Sequence, residues 1–203
     1  MIIRLDLKWG NLPVAVTRPG MNGLGAMKPQ AKTILVVEDD PNDRFLIETA
    51  FRRIGLTQPL HLVNDGAEAI AYLCGENRYA DRERFPYPSF IMTDLKMPGV
   101  DGFGVLEFLR KNPEWQITPV VVFSASLDTD DIKKCYALGA SSYHVKPPNL
   151  EALRRQLKVL LDYWQTCEVP QVDVTGKRVQ TTSKGKIGER YPQGFSPASA
   201  PHR

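Results

Sequence analysis

Short apolar runs and amphipathic stretches alternate through the middle of the chain. Residues 33–37 (TILVV) form a continuous apolar run, the pattern of a strand covered on both faces. In DPNDRFLIETAFRRIGL the apolar residues Ile47, Ala50, Phe51 and Ile54 recur at helical spacing, and Gly55 supplies the stop. A short strand over 60–63 follows. NDGAEAIAYLC then begins with cap-type residues, and its spacing places Ala67, Ile70, Ala71 and Cys74 on one helical face. After a polar, proline-ended stretch (NRYADRERFPYP) comes a third strand over 89–93. DGFGVLEFLRKN predicts a helix with Val105, Leu106 and Leu109 inward, and 119–123 (PVVVF) a fourth strand. LDTDDIKKCYALG reads as a helix with an acidic first turn and a glycine stop. Residues 141–145 give a fifth strand. Leu150, Leu153, Leu157, Leu160, Leu161 and Trp164 then mark a long amphipathic helix. Five strand–helix units predict an α/β domain: a doubly wound five-stranded parallel sheet with helices on both faces.

Outside 32–167 the pattern stops. Residues 1–31 carry four glycines, three prolines and no sustained periodicity, and read as a disordered or loosely attached leader. Met21 and Met27 offer later starts of translation. Residues 168–203 are polar, hold glycine and proline, and read as a flexible tail. The net charge of +3 divides unevenly. Each end carries +3, and 32–167, with sixteen basic and nineteen acidic residues, carries −3. A nucleic-acid-binding core would be basic, and the tail lacks the periodicity of a helix-turn-helix, so nucleic acid is not an expected partner. No apolar run approaches the ~20 residues of a membrane span, and the N-terminus lacks a signal-peptide core. The expected location is the cytoplasm. Three cysteines, distant in sequence and without a CxxC pair, read as reduced thiols, and with three histidines they make no zinc pattern. His61 and His144 read as core or edge residues.

In parallel sheets, sites form beyond the carboxyl ends of the strands. Here those ends run into Glu38, Asp39 and Asp40 (strand 1), Asp94 (strand 3), Ser124 (strand 4) and Lys146–Pro147 (strand 5). Converging carboxylates repel one another in partly desolvated surroundings. A divalent cation with hard oxygen ligands resolves this, and Mg²⁺, which keeps several waters, suits a site with few protein ligands. With a cation on one side and Lys146 on the other, Asp94 can accept a phosphoryl group, a reaction governed by positioning and charge stabilisation. Ser124 can donate to a phosphoryl oxygen, and Asp40 suits the cap of the first helix.

VVEDD, TDLKMPGVDG, FSAS and YHVKPP, with 30 residues from Asp94 to Ser124 and 52 from Asp94 to Lys146, resemble the receiver domain of bacterial response regulators. The resemblance covers about 32–166. It implies a flavodoxin-like sheet of order 2-1-3-4-5, with Asp94 as phosphoacceptor. The metal ligands it implies are Asp39, Asp94, Glu38 through water, and the Lys96 carbonyl. It makes Ser124 the switch hydroxyl, Tyr143 the switch aromatic and Lys146 the phosphoryl-binding residue, and puts a cis bond before Pro147. It further implies a phosphoacceptor rather than an enzyme, with weak self-phosphorylation and autodephosphorylation. The partner would be a sensor histidine kinase. The insertion GENRYADRERFPYP and the lack of a following effector pattern resemble the single-domain regulators paired with bacterial phytochrome kinases. The face of helix 4, strand 5 and helix 5 would change on phosphorylation and could join a homodimer. Two alternatives stand beside this: an unphosphorylated adaptor of receiver shape, and an aspartyl-phosphate phosphohydrolase. The latter needs a second aspartate two residues after the first, where this chain has Lys96.

Overall fold

The computed structural model describes residues 32–167 and 172–177. Five parallel strands, β1 (Ile34–Val37), β2 (Leu60–Val63), β3 (Phe90–Thr93), β4 (Val120–Ser124) and β5 (Ser142–Val145), form one sheet of order β2-β1-β3-β4-β5. Helices α1 (Pro41–Arg53), α2 (Gly66–Cys74), α3 (Gly102–Lys111), α4 (Thr129–Ala137) and α5 (Leu150–Thr166) connect and follow them. The expected fold class and strand order are both found.

Strand alternation divides the core into two layers. Leu35, Val37, Ile91, Val120 and Val122 face α2, α3 and α4, where they meet Tyr72, Leu73, Leu106, Leu109 and Cys135. Ile34, Val36, Met92, Val121 and Phe123 face α1 and α5, meeting Ile47, Phe51, Leu153 and Leu157. β1, β3 and β4 are buried on both faces, which explains their unbroken apolar sequences.

Each of α1–α5 begins on an Asp or Asn whose side chain accepts from backbone N–H groups of the first turn: Asp40, Asp65, Asp101, Asp128 and Asn149. Each such cap contributes about 1 kcal/mol. All five of these helices follow the carboxyl end of a parallel strand, so the caps also fix that edge of the sheet.

Two expectations need correction. The buried face of α2 is Ala69, Tyr72 and Leu73, while Ala67 is exposed. The polar segment after α2 causes the difference: Tyr79 and Phe85 pack over the Tyr72 ring, at centroid distances of 4.9 and 6.1 Å. Arg82 caps the end of α2 through the Tyr72 and Leu73 carbonyls. Residues 172–177, read as flexible tail, are held against the domain. The Val174 carbonyl accepts from the Tyr87 N–H at 3.0 Å, Val172 packs on the core, and Gly176 lies so close to the Tyr87 ring that a Cβ would stand 2.5 Å from it. Residues 1–31 and the rest of the tail lie outside the described residues.

Candidate functional site

The carboxyl ends of β1, β3 and β5 deliver their side chains to one place. Lys146, just past β5, puts its Nζ 2.7 Å from Asp94 Oδ2, 2.7 Å from Glu38 Oε2 and 2.8 Å from Asp43 Oδ2. Glu38 and Asp94 are buried, at 1% and 8% exposure. Glu38, Asp39 and Asp94 can bring one carboxylate oxygen each to within 4.8 Å of one another. Arg44 Nη1 donates to the Glu38 and Asp39 carbonyls, both at 2.7 Å, and so fixes the backbone that carries two of the three acids.

Asp94 is held at both ends of its carboxylate. Oδ1 accepts from the Leu95 N–H and, more distantly, from the Lys96 N–H at 3.4 Å; Oδ2 faces Lys146. The loop beyond it turns at Gly99, whose φ of +73° favours glycine. It then runs into Gly102, where a Cβ would stand 2.3 Å from the Asp94 carbonyl oxygen. α3 therefore starts against the backbone of the candidate phosphoacceptor.

Burial raises the Glu38 carboxyl to about 7, an effect that its hydrogen bond to Lys146 only partly offsets. Burial also works against the charge on Lys146, but its hydrogen bonds to Asp43, Asp94 and Glu38 outweigh this and hold it above the ordinary lysine value. The ammonium keeps its proton, and the cost of burial falls on Glu38.

Glu38, Asp39, Asp94 and Lys146 are thus gathered in one cluster. Ser124 is buried at the end of β4, and its Oγ accepts from the Ser126 N–H at 3.4 Å. Tyr143 is half-buried, and its hydroxyl donates to the Ser126 carbonyl at 2.9 Å, tying β5 to the loop after β4. The Lys96 side chain points away from the cluster to pair with Asp131 of α4 at 2.8 Å, and Ser126 Oγ donates to the same carboxylate. Asp40 caps α1. The cis bond expected before Pro147 is not found: every peptide bond among the described residues is trans. Trans is the lower-energy isomer by about 0.5–1 kcal/mol, and Lys146 reaches its three partners with that bond trans.

Asp43, Arg44 and Asp131 belong to the surroundings and were not singled out by sequence. An acid and a base in the first turn of α1 read as ordinary helix-terminus charges.

Three carboxylates within reach of one another make a donor set for a hard divalent cation, which takes oxygen ligands. Glu38, Asp39 and Asp94 are the residues that fit it.

The sequence pattern of the response regulator receiver domain matches residues 34–158. The response regulator Rcp1 of Synechocystis is 32% identical over 140 residues, 68% of this chain and 93% of Rcp1. The crystal structure of phosphorylated RcpA, a cyanobacterial phytochrome response regulator, aligns with a TM-score of 0.64 at 35% identity, covering 69% of this chain and 99% of that one. The Mn²⁺-bound form of Rcp1 aligns with a TM-score of 0.62 at 32% identity, covering 69% of this chain and 99% of its own. With its acidic cluster, sheet order and these relatives, this chain belongs to the response regulator receiver family of two-component signalling.

Proposed function

We propose that this protein accepts a phosphoryl group on Asp94 from a phosphohistidine of a sensor histidine kinase and passes the signal on by changing an interaction face. The observation that carries this reading is the 2.7 Å contact between Lys146 Nζ and Asp94 Oδ2, made beside Glu38 and Asp39. A Asp94 carboxylate oxygen attacks phosphorus, the P–N bond breaks, and the imidazole leaves with the electron pair and takes up a proton. Lys146 supplies positive charge to the incoming oxygens. Mg²⁺, held by Glu38, Asp39, Asp94 and the Lys96 carbonyl, would offset the rest of their negative charge.

Ser124 then donates its hydroxyl to a phosphoryl oxygen, which draws in the loop after β4. Tyr143, hydrogen-bonded to Ser126 in that loop, follows it, so the face of α4, β5 and α5 changes shape. Tyr136, Val145, Val159 and Tyr163 are exposed on these elements and give that face an apolar component for a second copy. The donor kinase spends ATP, which puts the reaction in the cytoplasm. RcpA and the R. palustris regulator RPA3017, described as acting in red light signalling, support a bacterial phytochrome as the kinase.

Phosphotransfer profiling against the histidine kinases of the source organism tests this. One kinase, a phytochrome, should label the wild type rapidly with Mg²⁺ present, and Asp94→Asn should remain unlabelled. Equal labelling of Asp94→Asn, or none of the wild type by any kinase or by acetyl phosphate, would overturn it.

A further inference from the structure

A second cavity lies at the outer edge of the sheet, away from the acidic cluster. It has a volume of about 340 Å³, within the range of small-molecule sites. Its floor is β2, through His61, Leu62 and Val63, and its walls are Arg78, Tyr79, Arg84 and Phe85 from the segment after α2. The receiver chemistry described above uses none of these residues.

The wall is aromatic. The His61, Tyr72 and Phe85 rings pack as a triangle, with His61 at centroid distances of 5.5 and 5.4 Å from the other two, and Tyr79 meets Phe85 edge-on at 5.2 Å. These contacts fix the rings, so a flat guest would lose little entropy by ordering them. The mouth is cationic. Arg78 is neutralised: it pairs with Glu68 and donates to the Tyr79 hydroxyl, which itself donates to Glu68 at 2.9 Å. Arg84 differs. Its guanidinium lies 5.0 Å from the centre of the Phe85 ring, and no ion pair with an acid is found for it among the described residues. Burial and then the Arg84 charge hold His61 below the usual histidine value, so the imidazole is neutral and offers polarity without adding charge.

An unmatched guanidinium lying over an aromatic wall, at the mouth of a cavity of this size, combines a planar anion fork with a surface for a ring. We propose that this cavity binds a small organic anion: a carboxylate or phosphate carried on a flat, apolar body, with Arg84 taking the anion and the partly exposed Phe85 and Leu62 taking the body.

The test is a ¹⁵N-resolved NMR titration of the full chain in low salt without divalent cations. The probes are benzoate, phenyl phosphate, inorganic phosphate and the neutral benzamide. Benzoate or phenyl phosphate should shift the amides of 61–63 and 78–85 saturably. Which of the two binds more tightly tells carboxylate from phosphate. Asp94→Asn should give the same titration, and Arg84→Ala should weaken binding about tenfold, the loss expected for a charge-assisted hydrogen bond. Arg84 is exposed, so its removal leaves the fold intact. No saturable shift with either aryl anion would overturn the proposal. So would benzamide or inorganic phosphate binding as tightly as the aryl anions, or an Arg84→Ala titration equal to wild type.

Discussion

Lys146 is the one ammonium among three carboxylates, and it is largely buried there, with 14% of its side chain exposed. Removing it leaves Glu38, Asp43 and Asp94 facing one another without a counter-charge. In a chelator, Lys146→Met should therefore lose about 3–5 kcal/mol of stability in urea unfolding, the usual cost of breaking a buried pair. Added Mg²⁺ should restore much of it by neutralising the same acids. A loss below about 1 kcal/mol, insensitive to Mg²⁺, would show that the charges do not act together. Glu38 gives a second prediction. Its carboxyl lies near 4.5 when exposed and about 7 in the metal-free fold. The folded state thus holds a proton that the unfolded state releases, so its contribution is complete below about 4.5 and gone above about 7. Metal-free wild type should lose stability across that window in pH-dependent unfolding, and Glu38→Gln should lose less. Identical pH profiles would contradict the burial argument. Much of this cluster was legible as residues at strand ends, because a carboxylate closing an apolar run is conspicuous. Asp43 and Arg44 were not, because a charge in the first turn of a helix has an ordinary explanation, and only the fold brings Asp43 to Lys146 and Arg44 to the strand-end carbonyls.

At the scale of elements, α3 is coupled to the site through Gly102. A Cβ there would meet the Asp94 carbonyl oxygen at 2.3 Å, and backbone cannot yield as a side chain does. Gly102→Ala should cost about 1–3 kcal/mol in urea unfolding, as overpacking does, and should also slow phosphorylation by moving Asp94. Gly104→Ala, whose Cβ would meet side chains and no backbone, Val100 at 2.8 Å and Asp101 Oδ1 at 3.7 Å, should cost less. Equal, small effects would mean that the α3 start does not position the strand end. The strands and helices could be read from periodicity because β1, β3 and β4 are apolar throughout and each helix starts on an Asx cap. The α2 face could not. Ala67, Ile70, Ala71 and Cys74 compete with Ala69, Tyr72 and Leu73 on a helix apolar nearly all round. What settles it is Tyr79 and Phe85, from a segment that looked merely polar. The docking of 172–177 was hidden for a similar reason: its anchors are one backbone carbonyl, one glycine and the single apolar residue Val172, too few to leave a hydrophobic pattern.

Over the whole molecule, an acidic domain between basic ends carries a largely buried acidic cluster at the carboxyl edge of its sheet and exposed Tyr136, Val145, Val159 and Tyr163 on α4, β5 and α5. No helix among the described residues is long and apolar enough to cross a membrane. If that face joins two copies on phosphorylation, sedimentation should show a heavier species after acetyl phosphate and Mg²⁺, and Val159→Glu should abolish it while leaving phosphorylation intact. An unchanged mass in the phosphorylated wild type would exclude the dimer. Asp94, placed between Lys146 and the Glu38–Asp39 pair, should be the group that receives phosphorus. Borohydride reduces an aspartyl phosphate to homoserine, so reduction after acetyl phosphate treatment, followed by peptide mass mapping, reads the site directly. Homoserine should appear at position 94 and at no other acid; conversion at Asp39 or Asp43, or none in fully folded protein supplied with Mg²⁺, would rule out Asp94 as the acceptor.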